Sequence, residues 1–297
     1  MPITERQRVM RRKYLGSSDA PAIAGVNPWR NAADVYWDKI KPPSERDSEP
    51  KNDAIIVGNL CEKAVLDWFE REAGEKIRRN QSRVHSNKIM AANIDALIVG
   101  KPEIVEAKTS GITSYFDKEA WGEPGTDEVP DYVIVQCHHQ MAVLGEEYRV
   151  AWVPVLLGGV GFRMYRIERS DQLVGSLESI EVDFWKSYVE QRKVPPNTLP
   201  TIETIRRIER TPSKVASVAD ALVENWLKTR ELASTAEKEK KEAQRALLAA
   251  LEDAEAGECS FGTVTYFEQS MKERVIPACS YRVARFKQNK NYKEAAA

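Results

Sequence analysis

The stretch that most restricts the fold is NIDALIVGKPEIVEAKTS, from Asn93 to Ser110, which sets Asp95, Glu106 and Lys108 into apolar, strand-like surroundings. Ile94 to Val99 and Ile104 to Ala107 are short apolar runs on either side of Gly100-Lys101-Pro102. That pattern predicts a β-hairpin, because glycine supplies the backbone angles a tight turn needs. With Gly100 and Lys101 as the turn, Asp95 falls opposite Glu106, with Cβ atoms about 5 Å apart. Lys108, two residues beyond Glu106, shares their face, while Val105 and Ala107 turn toward the core. Two facing carboxylates repel unless a positive group lies between them, and a divalent metal is the natural candidate. A surface face carrying a Glu–Lys pair is the competing reading, and spacing alone does not choose between them.

Three further segments bear on that choice. GNLCEKAVLDWFEREAG reads as a helix from about Asn59 to Ala73, with Glu62 on the stripe of Leu66, Phe69 and Ala73. A carboxylate on a core-facing stripe is paired or metal-bound, a buried Glu–Arg bridge being the plainer form. DYVIVQCHHQMAVLG also reads as a helix, and Tyr132, Gln136 and Gln140 share one face at helical spacing. The Gln136 amide can orient a water or a strand end. His138 and His139 are adjacent, so they point about 100° apart and read as core or surface residues rather than ligands. Near the N-terminus, Arg6, Arg8, Arg11, Arg12 and Lys13 make a local basic patch. Ser17 and Ser18 precede an apolar helix that they can cap, presenting amides to a phosphate. A plain cap behind a solvated basic tail is the alternative. Trp29, Tyr36 and Trp37 read as core residues, stacking on an unpaired base being the sharper option.

The bulk numbers narrow the classes. Across 297 residues, 30% are charged and 42% apolar, and the formal net charge is −1, so any polyanion site is local rather than global. No apolar run reaches the roughly 18 residues needed to span a bilayer, and no apolar core follows the basic start, which argues against a secretory signal. Cys61, Cys137, Cys259 and Cys279 are scattered, which suits a reducing cytoplasm and argues against a zinc or iron–sulfur cluster.

Pro195, Pro196 and Pro200 mark a domain edge, dividing residues 1–200 from a 201–297 extension. Thr211-Pro212-Ser213 reads as a helix start. Val215, Val218, Leu222, Trp226, Ala236, Ala243, Leu247 and Leu251 then follow at roughly helical spacing. They predict one long helix or a helical hairpin over about 212–256, ended by Gly257 and followed by a short β segment in CSFGTVTYFEQ. KEKKEAQR reads as a solvated face, with a DNA or partner contact as the alternative. NKNYKEAAA reads as a frayed tail.

Asp95 followed by Glu106-Ala107-Lys108 resembles the PD-(D/E)XK nuclease motif. Together with GSSDA at residues 16–20, the G-x-x-x-E of Gly58 and Glu62, and the Q-x-x-x-Q-M of Gln136 to Met141, all in order, the chain is similar to the lambda exonuclease / YqaJ-like viral recombinase family over roughly residues 8–190. One departure is Ile94 and Ala96 beside the aspartate, where the family often has Pro or Gly. The resemblance implies a mixed α+β, restriction-endonuclease-like core, a central mixed sheet flanked by helices, with a mainly helical C-terminal extension. It implies a metal-dependent 5′-to-3′ exonuclease acting on double-stranded DNA ends and leaving 3′ single-stranded tails for phage-type recombination. Asp95, Glu106 and the Ala107 carbonyl would bind Mg²⁺ or Mn²⁺, with Glu62 completing or supporting the site. Lys108 would orient the attacking water, Gln136 would position that water or the strand, and Arg11 with Ser18 would hold the 5′ phosphate. Implied partners are DNA ends, a single-strand annealing protein and further copies in a ring, with a trimer favoured, in the cytoplasm of a bacterial or phage-infected cell. A PD-(D/E)XK endonuclease, a Cas4-like nuclease and a non-catalytic DNA-end-binding scaffold are the alternatives. The cysteine spacing speaks against the Cas4-like reading, and the intact Asp95, Glu106 and Lys108 set against the scaffold.

Overall fold

The computed structural model describes residues 5–40, 53–112 and 121–268, apart from 197, 209, 210, 212 and 261. The chain divides into two units, Met1–Ile208 and Glu209–Ala297. The first is built on a six-stranded mixed sheet of β1 (Ile77–Val84), β2 (Ala91–Ile98), β3 (Glu103–Val105), β4 (Lys108–Ser110), β5 (Val150–Leu157) and β6 (Gly161–Glu168). β1 and β2, and β2 and β3, are antiparallel. The expected hairpin forms, Gly100 taking a left-handed φ of 83° at its turn. Ala96 pairs with Val105 and Leu97 with Ile104, the register that sets Asp95 against Glu106.

β3 and β4 behave as one interrupted strand. β6 lies antiparallel along the whole of β5. The other edge of β5 therefore takes β3, with Glu103 opposite Val150, and then β4 in the same parallel register, with Lys108 opposite Val155. The interruption is Glu106 and Ala107. The Glu106 N–H still donates to the Trp152 carbonyl, at 2.9 Å, but the Ala107 N–H turns to the Asp95 carboxylate, also at 2.9 Å. A side chain thus satisfies a backbone donor that the ladder leaves. The far end of β4 is closed by Gly158, whose N–H donates to the Ser110 carbonyl; a Cβ there would lie 2.2 Å from the Gly111 oxygen.

Helices cover both faces. Adjacent strand residues point to opposite sides, and their partners differ accordingly. Val105, Ala96 and Ile98 pack with Leu66 and Phe69 of α4 (Asp53–Ala73). Ile104, Val153 and Val155 pack with Val133, Cys137 and Met141 of α5 (Asp131–Leu144), where Val174 and Phe184 of α6 (Asp171–Phe184) also join. α6 runs on into a π-helical turn, Trp185–Val189. His139 is wholly buried between these elements, its Nδ1 2.9 Å from Glu181 of α6 and its Nε2 3.0 Å from the Ala91 carbonyl of β2. His138 lies against the Ile134 carbonyl and accepts from Ser170 N–H. Both histidines are core residues, the first of the two placements, core or surface, that the sequence left open.

The N-terminal segment is tied to the sheet by a backbone bridge and to a later helix by an ion pair. After α1 (Glu5–Lys13), Leu15 bridges to β2, donating to Ile89 O and accepting from Ala91 N–H, both at 2.8 Å. Asp19 then accepts from Gly16 N–H and from the Lys39 ammonium at 2.6 Å. Lys39, at the end of α3 (Ala32–Ile40), also donates to the Tyr14 and Arg11 carbonyls, and its side chain is only 2% exposed. Arg30 reaches Asp19 and Asp38. This corrects the expectation that Ser17 and Ser18 cap a helix. The helix that follows, α2 (Ala20–Ile23), has four residues, and Asp19 stands before it with no side-chain cap bond because its carboxylate is drawn to Lys39. The first unit closes with α7 (Ile202–Arg207), capped by Thr201, whose N–H and hydroxyl both bond the buried Asp34.

In the second unit α8 (Asp220–Leu251) is a single helix of 32 residues, about 48 Å long at 1.5 Å per residue. It is neither a helical hairpin nor as long as the apolar spacing implied. Ser213 takes a left-handed φ, residues 214–219 are non-helical, and the helix starts where Asp220 meets its positive N-terminal dipole. Glu252, at φ 50°, ends it. Gly257 lies instead in the hairpin of β7 (Ala256–Cys259) and β8 (Gly262–Thr265), where a Cβ would come within 2.6 Å of the buried Leu251. The charged run 238–245 is exposed. Cys279 and the NKNYKEAAA tail lie outside the described residues.

Burial alone would raise the Asp19 carboxyl, but Lys39 and Arg30 outweigh it and lower it from 3.8 to about 2. A carboxylate with a depressed folded pKa stabilises above its ordinary value and loses that contribution as pH falls through the folded one. Urea denaturation should therefore show the protein losing stability from about pH 4 to about pH 2. Asp19→Asn, which leaves the Lys39 ammonium buried without a counter-charge, should cost about 3–5 kcal/mol at neutral pH and flatten that acid limb.

Candidate active site

Strand register and helix phase bring the expected residues into one cleft of about 780 Å³. Its lining includes Arg11, Ser18, Glu62, Asp95, Glu106, Ala107, Lys108 and Gln136. Asp95 comes from β2, Glu106 and Ala107 from the interruption, Lys108 from the start of β4, Glu62 from α4, and Gln136 from α5. Glu106 is at the centre and is 3% exposed. Its Oε1 accepts from the Lys108 ammonium and from the Gln136 amide, both at 2.5 Å, and its Oε2 accepts from the Gln140 amide at 2.7 Å. Lys108 also donates to Gln136 Oε1 at 2.9 Å. Gln136 therefore bridges the two charges, both ends of its amide being used on them.

Gln140 is the residue that sequence reasoning left out of the site. Its signal was present, since it shares the α5 face of Gln136 one turn on. Only the packing of α5 over the strand interruption shows that this face meets Glu106. Its Oε1 is buried without a partner, a cost of about 1–3 kcal/mol for a polar atom taken out of water.

The electrostatics are lopsided. Desolvation and the facing Glu106 charge push the Asp95 carboxyl well above its ordinary range, with Glu62 adding to the effect, while Lys108 and the Ala107 N–H oppose it. Desolvation works against the Lys108 ammonium, yet Glu106 and Asp95 hold its pKa above the usual lysine value. Lys108 is thus a charged donor rather than a free base. Cys137 lies beneath, its thiol pushed up by burial and by Glu106, so it remains protonated.

The expected divalent cation can be tested against these donors. Among the described residues, no three His, Cys, Asp or Glu side chains already gather into a metal site. The donor chemistry nevertheless fits a hard ion. The cleft offers Asp95, Glu106, Glu62 and the Ala107 carbonyl, and neither His nor Cys lines it. Glu106 accepts three hydrogen bonds, of about four that a carboxylate can take. Burial first, and then the facing Glu106 charge, raise the Asp95 carboxyl, and a bound cation would offset both effects.

The other expected residues divide. Arg11, in the last turn of α1, and Ser18 are exposed at the cleft, with Arg83 and Asn93 of β1 and β2 also in its wall. Tyr36 is core and Trp37 packs against it. Trp29 is 57% exposed and meets Tyr132 edge-on at 5.2 Å.

An aspartate on one strand, a Glu-x-Lys after its neighbour and a glutamine helix above them sit on a central mixed sheet flanked by helices, the architecture that the resemblance to PD-(D/E)XK nucleases implied. Residues 8–147 match the family model of the YqaJ-like viral recombinase domain. The uncharacterized protein YqaJ of Bacillus subtilis (strain 168) is 37% identical over 191 residues, 63% of this chain and 57% of its own length. The chain thus spans somewhat more than half of that relative. Among solved structures, the alkaline exonuclease LHK-Exo of Laribacter hongkongensis superposes with a TM-score of 0.51 at 17% identity, over 64% of this chain and 94% of its own. LHK-Exo in complex with dAMP gives 0.52 at 19% identity over the same shares. At that identity the likeness establishes the shared fold.

Charge repulsion at the cleft makes one stability prediction. Asp95→Asn keeps an acceptor for the Ala107 N–H and removes a charge facing Glu106. In EDTA it should raise stability by roughly 0.5–2 kcal/mol, read as a higher melting temperature, as expected where a site sacrifices stability for function. An unchanged or lower value would mean that Asp95 is not under electrostatic strain.

Proposed function

We propose that this chain is a metal-dependent deoxyribonuclease that digests double-stranded DNA from its 5′ ends and leaves 3′ single-stranded tails for recombination. The observation that carries the reading is the single cleft in which Asp95, Glu106, Lys108, Gln136 and Glu62 stand together with Arg11 and Ser18. The match to the YqaJ-like domain model and a fold shared with an alkaline exonuclease support it.

Asp95, Glu106 and the Ala107 carbonyl would hold Mg²⁺ or Mn²⁺, with Glu62 beside them. The ion would lower the pKa of water and offset the charge that builds at phosphorus. The chain's own groups divide the remaining work. Lys108 stays protonated beside Glu106, so it orients a water and stabilises phosphate charge as a donor, without having to take the proton itself. Gln136, with both amide ends on Glu106 and Lys108, holds the two together and would position the water or the scissile strand. Arg11 and Ser18 are the candidates to bind a terminal 5′ phosphate. A chain of net charge −1 holds DNA through such local cations. Further copies in a ring, with a trimer favoured, and a single-strand annealing partner are the assemblies that the family resemblance implies.

Linear duplexes with and without 5′ phosphate, incubated with Mg²⁺ or EDTA, test the proposal. The wild type should release nucleotides only with metal and faster from phosphorylated ends. Asp95→Ala and Lys108→Ala should lower the rate by a factor on the order of 100 or more. Absence of metal-dependent release by the wild type would sink the proposal, and cutting of closed circular DNA would replace it by an endonuclease. Arg11→Ala should abolish the preference for 5′ phosphate while the slower rate on unphosphorylated ends persists. A preference that survives the change removes Arg11 from the phosphate site.

A further inference from the structure

We infer that Gln140 is a positioning residue of this site, holding the Glu106 carboxylate in the orientation its other partners require; the inference rests on reading the cleft as a nuclease centre. Gln140 is 0% exposed, and its amide nitrogen donates to Glu106 Oε2 at 2.7 Å. Its amide oxygen is buried and without a hydrogen-bond partner. A methionine or leucine would fill similar space among Met141, Val143 and the rest of the α5 core without leaving that atom unsatisfied. The residue is therefore explained by its donor, and its donor goes to Glu106.

The geometry gives that bond a task. The terminal torsion of a glutamate is broad, so nothing intrinsic fixes the rotation of its carboxylate. Gln136 and Lys108 both bond Oε1, which leaves the group free to pivot about that atom. Gln140 takes Oε2 and removes the pivot. Two glutamines one turn apart on α5 thus divide the work, Gln136 holding Glu106 to Lys108, and Gln140 setting the plane in which Glu106 presents its remaining acceptor position. Outer partners of this kind commonly change metal affinity or activity roughly ten- to a hundredfold when lost.

The test uses the full-length protein and Gln140→Met, which keeps volume and loses the donor. Three quantities are read: Mn²⁺ binding by titration calorimetry without DNA, kcat and KM on linear duplex, and the thermal unfolding curve. The expected result is a folded variant with KM for DNA unchanged within about twofold, and kcat and Mn²⁺ affinity each lower by roughly tenfold or more. A folded variant with wild-type kcat and Mn²⁺ affinity overturns the inference and makes Gln140 a core residue only. Should Gln140→Met fail to fold, Gln140→Asn, whose shorter amide falls short of Glu106, decides on the same readings. A wild type that neither binds Mn²⁺ nor releases nucleotides overturns the nuclease reading itself. An active wild type with indistinguishable Gln140 variants overturns only the role given to Gln140.

Discussion

A buried carboxylate at the break in a strand is the constraint around which the first unit is arranged. Glu106 is almost wholly removed from water, and a charge so placed is tolerated only when it is paired and hydrogen-bonded. Its partners come from two directions. Lys108 lies two residues on along the same strand, and Gln136 and Gln140 descend from α5. For them to meet, the β3 and β4 segments must run in one register against β5, and α5 must lie across the face to which Glu106 points. The interruption that frees Ala107 N–H from the ladder is what brings Asp95 within reach of the same point.

The N-terminal segment shows the same economy with a different outcome. The GSSDA turn carries an acid and two hydroxyls, and the fold separates them. Asp19 turns inward to Lys39 and becomes structural, while Ser18 stays at the cleft with Arg11. The ion pair fixes where the carbonyls of Arg11 and Tyr14 lie, since Lys39 donates to both. Arg11, a cation on a nearly neutral chain, is thereby held at one wall of the cleft.

Much of the site could be counted off the chain. Glycine and proline between two apolar runs set the hairpin, and period-two alternation put Asp95, Glu106 and Lys108 on one face. Helical phase placed Glu62 with Leu66 and Phe69, and Gln136 with Gln140, because these relations depend only on local geometry. Relations between distant segments were not countable. Nothing near Asp19 says that Lys39, twenty residues on, is its partner, so the serines looked like caps. The apolar spacing through Val215 and Val218 looked helical, but the backbone around Ser213 leaves the helical region, and α8 begins only at Asp220.

The sequence by itself determined the hairpin register, the faces of α4 and α5, and the kinds of group that meet at the site. It did so because side-chain direction repeats with a fixed period along a strand or helix. Which of those groups are buried, and against what, was decided by the tertiary structure. Burial turned Glu106 into the hub, made Gln140 part of it, withdrew Asp19 to Lys39 and left Trp29 exposed. Desolvation and pairing are properties of the space between elements, and no local repeat encodes them.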